Sequence, residues 1–113
     1  MNPADRIALV TILECVAKVR TYVRQTGDTW TTDDMTVDAI AKRLEEIGEL
    51  SKRLGPDTLE RMPAVDWRGV KGMREILVHD YGHVQIVIIE SVVANDLGGL
   101  DDGVRSLLKE TGE

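Results

Sequence analysis

The chain has 113 residues, of which 42% are hydrophobic and 30% charged, with no phenylalanine and a formal net charge of −6. This length predicts a single domain, residues 1–113, and the balance of hydrophobic and charged residues excludes a disordered chain. The negative charge argues against specific or general binding of duplex DNA, because contacts with the phosphates would be repulsive overall.

The sequence predicts a cytoplasmic protein that does not enter a membrane. The N-terminal residues MNPADRIALV lack a basic segment followed by a long apolar run, so they do not resemble a signal peptide. The most apolar stretch, VQIVIIESVVA, contains Gln85 and Glu90 and is too short to span a bilayer. The single cysteine, Cys15, cannot form an internal disulfide, and we expect it to be a small core residue.

The first predicted helix runs from Pro3 to about Gln25. Asn2 is expected to cap this helix and Gly27 to end it. Its apolar positions form two adjacent stripes, which predicts a helix buried over a wide arc. The stripes are Ile7, Val10, Leu13 and Ala17, and Leu9, Ile12, Val16, Val19 and Val23.

The second predicted helix follows a polar loop, DTWTTDDM, in which Trp30 is expected to lie at the tip or to contact a partner. Asp34 or Thr36 is expected to cap the helix, and Gly55-Pro56 to end it. Apolar and small residues recur at spacings of three and four, which predicts a narrow packing seam opposite a solvated charged face. The seam is Val37, Ile40, Ala41, Leu44, Ile47, Gly48, Ser51 and Leu54.

The second half of the chain predicts further helices. PDTLERMPAVD contains a short helical turn. Asp66 is then expected to cap a helix that begins near Trp67 and is interrupted at Gly82. We expect Trp67 to be a packing anchor. The stretch HVQIVIIESVVANDL is rich in β-branched residues, but no alternating partner strand is evident, so a helix is predicted. A last helix is expected after Gly98-Gly99. The prediction is an all-α bundle of four to five helices.

Chemically capable side chains concentrate in MREILVHDYGH, which holds both histidines of the chain. His79 and His83 are four residues apart, as in some metal sites, but Gly82 lies between them and no third ligand is evident. The sequence contains no CxxC pair, HExxH motif or glycine-rich phosphate loop. We therefore predict no metal and no cofactor.

Arg74 and His79 suit the cleavage of a phosphodiester. An arginine binds phosphate through a charged planar fork, and a histidine exchanges a proton near neutral pH. Together they fit attack by a ribose 2′-hydroxyl on the adjacent phosphate without a metal. Five residues turn a helix by roughly 500°, so the two side chains would leave the axis about 140° apart. They would converge only if the helix bends or ends near His79, or if a second subunit closes the site.

The same spacing also fits a purely structural segment. A histidine near the end of a helix interacts favourably with the helix dipole, and an exposed arginine is commonly a solvated charge. Tyr81 would then be a core residue with its hydroxyl at the rim. Spacing alone does not separate this interpretation from the catalytic one.

The segment from Arg74 to Tyr81 has the pattern R-x-x-x-x-H-x-Y, which resembles the signature of the HEPN ribonuclease superfamily and of its HepT-like toxin branch. Two longer blocks extend the resemblance in the same order along the chain. RLEEIGELSKRLG is similar to the second-helix signature of the family, with its I-G-E core at residues 47–49. VDWRGVKGMREILVHDY is similar to its W-x-x-x-x-G-x-R-x-x-x-x-H-x-Y run. Leu50 stands where the family usually has a small alanine.

The resemblance implies an HEPN-type helical homodimer that cleaves RNA without a metal in a cleft at the dimer interface. It implies that Arg74 and His79 are the catalytic pair. It also implies a partner, a minimal nucleotidyltransferase antitoxin, that adds AMP to Tyr81. Arg68 and Lys71 lie on the same predicted helix and are expected to contact RNA phosphate.

Two other functions remain compatible with the sequence. The chain would be a non-catalytic helical binding module if it only docks a nucleotidyltransferase and is modified by it. It would be a plain dimerisation domain if Arg74 and His79 lie in separate, closed environments. We assign no role to His83.

Overall fold

The computed structural model describes the backbone of residues 1–79 and 83–112, and the side chains of residues 1–73 and 86–112. The described backbone is helical and contains no strand, which confirms the all-α prediction. None of the described helices is both long enough and apolar enough to cross a bilayer. The α-helices are α1 (Pro3–Thr26), α2 (Asp34–Arg53), α3 (Pro56–Glu60), α4 (Trp67–His79), α5 (His83–Ser91) and α6 (Leu97–Glu110).

The ends of α1 agree with the sequence prediction. The side chain of Asn2 accepts a hydrogen bond from the backbone N–H of Asp5 at 2.8 Å. Gly27 ends the helix with a φ of +85°, a conformation that favours glycine. The prediction of a wide buried arc was wrong for one stripe, because Ile7 is 67% exposed and Val10 is 38% exposed. Among the described residues, α2 and α6 pack against α1 and leave Ile7 and Val10 exposed.

The loop before α2 differs from the sequence prediction at two positions. Asp33, and not Asp34 or Thr36, caps α2, and its carboxylate accepts a hydrogen bond from the N–H of Thr36 at 3.0 Å. Trp30 is 7% exposed and belongs to the core, so it is not an exposed loop tip. A 3₁₀ turn, Trp30–Thr32, folds the loop back against α2 and buries the indole there.

The core lies around α2, which packs against both α1 and α4. The predicted seam of α2 is confirmed at its centre, where Ile40, Leu44, Ile47, Gly48 and Ser51 are buried. Aliphatic side chains dominate the core because the chain has no phenylalanine. The seam therefore fixes the position of α4, the helix that carries the candidate catalytic residues.

The expected helix boundary at Gly98-Gly99 was wrong. A π-helical segment, Val92–Asp96, joins α5 directly to α6, which already begins at Leu97. The N–H of Leu97 bonds to the carbonyl oxygen of Val92, the i→i+5 pattern of a π-helix. Burial of Leu97 against the core outweighs the low helix propensity of the two glycines.

Candidate functional site

Helix α4 begins at a well-defined point. The carboxylate of Asp66 accepts a hydrogen bond from the N–H of Gly69 at 3.1 Å, as expected for a helix cap. Trp67, the first residue of α4, is 8% exposed, which confirms the predicted packing anchor. The start of α4 is thus fixed by a local hydrogen bond and by burial of an indole.

The described backbone places both predicted catalytic positions on α4. Trp67, Val70 and Met73 form its buried side at a spacing of three residues. Position 74 follows Trp67 by seven residues, or about two turns, and so lies on the same side of the helix. Position 79 lies about 140° from position 74 around the axis. The two positions do not share a face of α4, as the spacing predicted; their side chains lie outside the described residues.

The two predicted phosphate-binding residues lie three residues apart on α4, about 60° from each other around the axis. Arg68 is exposed, and eleven residues separate it from position 79, which places the two within about 20° around the axis. Lys71 is half-buried and precedes position 74 by three residues, about 60° away. Neither cation forms an ion pair with another residue whose side chain is described. Lys71 is therefore a near neighbour of position 74 on the helix surface, whereas the eleven residues between Arg68 and position 79 correspond to about 16 Å along the axis.

The remaining candidates lie beyond the described side chains. Tyr81 and Gly82 fall outside the described residues, and His83 is the first residue of α5. Across the side chains of residues 1–73 and 86–112, no group of three His, Cys, Asp or Glu residues is arranged to hold a metal ion.

A polar contact between α1 and α2 was missed by the sequence reasoning. The thiol of Cys15 donates a hydrogen bond to a carboxylate oxygen of Glu46 at 3.3 Å. The other oxygen of Glu46 lies 2.8 Å from the guanidinium of Arg43. The prediction of a solvated charged face on α2 is therefore wrong for these two residues. Burial, followed by the hydrogen bond and charge of Glu46, raises the pKa of Cys15 from 9.0 to about 11. This thiol is protonated at neutral pH and is not a nucleophile.

Comparison with known proteins adds the following findings. A family model described as "Ribonuclease HepT-like" matches residues 12–107. A Methanocaldococcus jannaschii protein described as "Gamma-glutamylcyclotransferase and putative RNase" is 29% identical over 111 residues, which are 97% of this chain and 50% of that protein. The chain thus spans only half of this relative. A "Putative RNase" of the same organism is 29% identical over 106 residues, 93% of this chain and 88% of that protein.

A third relative matches over its whole length. The "Probable ribonuclease HepT" of Thermococcus cleftensis is 28% identical over 110 residues, which are 96% of this chain and 100% of that protein. No solved structure gave a significant match.

Proposed function

The chain belongs to the HepT-like ribonuclease family, and from this membership we propose that it is a metal-independent endoribonuclease with Arg74 and His79 as its catalytic pair. The observation that carries the proposal is the family match, because residues 12–107 include both positions. The relatives described as RNases support the same reaction class.

The proposed reaction is an internal transfer within the RNA. The imidazole of His79 accepts the proton of a ribose 2′-hydroxyl while the 2′-oxygen forms a bond to the neighbouring phosphorus. The bond from phosphorus to the 5′-oxygen of the next nucleotide breaks, and that oxygen takes up a proton. The products are a 2′,3′-cyclic phosphate and a free 5′-hydroxyl. Arg74 stabilises the negative charge that builds on the phosphoryl oxygens.

We propose that two copies of the chain form each active cleft. The supporting observation is that positions 74 and 79 lie about 140° apart on α4, so one regular helix does not bring them onto one phosphate. In a homodimer, a second α4 supplies the missing group. Two copies also bring together two sets of Arg68 and Lys71, which would contact RNA phosphates and offset the net negative charge of each chain.

The proposed regulator is a minimal nucleotidyltransferase antitoxin that adds AMP to Tyr81. Tyr81 lies two residues after His79 in the sequence. AMP would add bulk and a negative phosphate beside the catalytic residue, which would exclude the RNA phosphate. The chain would then be the toxin of a toxin–antitoxin pair.

The test is RNA cleavage by the purified full chain, free of any partner and in the presence of EDTA. Arg74→Ala and His79→Ala are each expected to lower the rate by on the order of a hundredfold or more, because each removes one catalytic group. Arg24→Ala, at an exposed position in the last turn of α1, is the matched control and should cleave like the unsubstituted chain. Full activity in both α4 variants would refute the assigned pair, and loss of activity in EDTA would refute metal independence.

A mixing experiment tests the contribution of two chains. Neither the Arg74→Ala nor the His79→Ala protein has an intact site alone. If each site takes arginine from one copy and histidine from the other, random exchange of subunits restores about a quarter of the original sites. If both groups come from one chain, no intact site forms and the mixture stays inactive. If subunit exchange is confirmed and the mixture is still inactive, a site shared between copies is refuted.

A further inference from the structure

A cleft of about 340 Å³ opens between α4 and the continuous helix formed by α5, the π-helical segment and α6. Leu44 of α2 lies at its floor. Val70 and Met73 form the α4 wall, and Ile88 and Val92 lie on the opposite wall. The volume falls within the range of about 300–1,000 Å³ that is usual for binding pockets. The cleft therefore has room for at least one large apolar side chain beyond those of the residues that the structure describes.

Two carboxylates lie at the edge of this α4–α6 cleft. Asp66 lines it at the start of α4, and Asp96 lines it at the start of α6. Both residues are exposed, and neither forms an ion pair within the described side chains. Asp96 also makes no capping hydrogen bond to α6, although it occupies the cap position. An occupant that complements this edge carries a positive charge beside an apolar body.

The π-helical segment shapes the cleft. It contributes Val92, Asn95 and Asp96 to the lining, so an apolar, an amide and a charged side chain come from five consecutive residues. Segments of π-helix inside α-helices occur frequently at functional sites. The side-chain amide of Asn95 donates a hydrogen bond to the hydroxyl of Ser91, which lies outside the cleft lining, at 3.4 Å.

The cleft is open to solvent. Ala64 and Gly69 line it on the α4 side, Asn95 and Gly99 line it on the other side, and all four are exposed. An occupant seated in the cleft can therefore extend beyond it into solvent, as a segment of a protein does.

We propose that the α4–α6 cleft docks a segment of a protein partner that presents an aliphatic anchor side chain next to a lysine or arginine. The anchor fills the space between Val70, Met73 and Val92, and the cation lies between Asp66 and Asp96. Because Met73 directly precedes position 74, an occupant of the cleft also contacts the helix that carries the proposed catalytic pair. The proposal does not depend on RNA cleavage, since the docking is measured without RNA.

Two neighbouring glycines provide matched variants. Gly99 lines the cleft, and a Cβ atom at this position meets no other atom within 4 Å. Gly99→Leu should therefore fill the cleft without a clash at its point of attachment. Gly98 has the same free space but does not line the cleft. Gly98→Leu is the control, because both substitutions raise helix propensity in the same turn of α6 by a similar amount.

The experiment selects binders to the full chain from a library of random short peptides. We expect the enriched peptides to contain Leu, Ile or Met beside Lys or Arg. Synthetic copies should shift the amide NMR signals of Gly99 and Leu100. Gly99→Leu should weaken their binding by on the order of tenfold to a hundredfold, because the anchor loses its place of burial. Gly98→Leu should bind as the unsubstituted chain does.

A second experiment tests the charge complementarity, and it can be carried out even if Gly99→Leu fails to fold. Asp66→Asn and Asp96→Asn together should reduce the preference for basic over acidic versions of one peptide by several-fold. Absence of any enriched peptide would overturn the proposal. Enriched peptides without a cation, or peptides that bind Gly99→Leu unchanged, would overturn it as well.

Discussion

Raising the pH from 9 to 11 is expected to destabilise the fold through a single thiol, that of Cys15. Cys15 is 2% exposed, and its pKa in the folded chain is about 11 instead of 9.0, chiefly because burial disfavours the thiolate. Below pH 9 the thiol is protonated in both folded and unfolded chains, so its full contribution to stability is present. Between pH 9 and 11 only the unfolded chain loses the proton, which favours unfolding. Two pKa units correspond to a loss on the order of 2–3 kcal/mol.

The assay compares urea unfolding of the unsubstituted chain and Cys15→Ala across this pH range. Other groups titrate in both proteins and cancel in the difference between their free energies of unfolding, so that difference isolates the thiol. It should change by about 1.4 kcal/mol per pH unit once the pH passes the unfolded pKa. Glu46→Gln should keep part of the effect, because burial is the largest cause of the shift. A difference that stays constant from pH 9 to 11 would refute the reasoning.

Two further substitutions test contacts that hold the helices together. Asp5→Ala is expected to lower the free energy of unfolding by about 1.5–3 kcal/mol, because the buried carboxylate accepts hydrogen bonds of 3.2 and 2.6 Å from the α2–α3 junction. Asp57→Ala, at an exposed position, should change the free energy of unfolding by less than about 0.5 kcal/mol. Gly103→Ala should destabilise by on the order of 1 kcal/mol, since its Cβ would lie 2.7 Å from a methyl of Val65. Thermal unfolding of the three variants measures these effects. Unchanged midpoints for Asp5→Ala and Gly103→Ala would contradict the contacts described for these two residues.

Several local features were correctly predicted from sequence because nearby residues determine them. The Asn2 and Asp66 caps each bond to an N–H three residues away. The seam of α2 follows from the helical repeat of its apolar residues. The R-x-x-x-x-H motif places positions 74 and 79 on one helix and about 140° apart, and the described backbone agrees.

Other features depended on which elements meet in three dimensions. Trp30 looked exposed in a polar loop but is buried, because the 3₁₀ turn packs against α2. Cys15 and Glu46 are 31 residues apart in sequence, so no local pattern pairs them. The stripe containing Ile7 looked buried but is exposed, because a repeat of apolar residues does not specify whether a neighbour covers it.

The sequence by itself determined the all-α class, the caps at Asn2 and Asp66, the family signature and the helix that carries the proposed catalytic pair. Those properties follow from interactions within one or two helical turns and from a linear pattern. Only the tertiary structure decided that α5 runs through a π-helical segment into α6, and that an acidic-edged cleft opens beside α4. Long-range packing decided both, because burial of Leu97 and Leu100 in the common core holds the glycine-containing start of α6 in a helix.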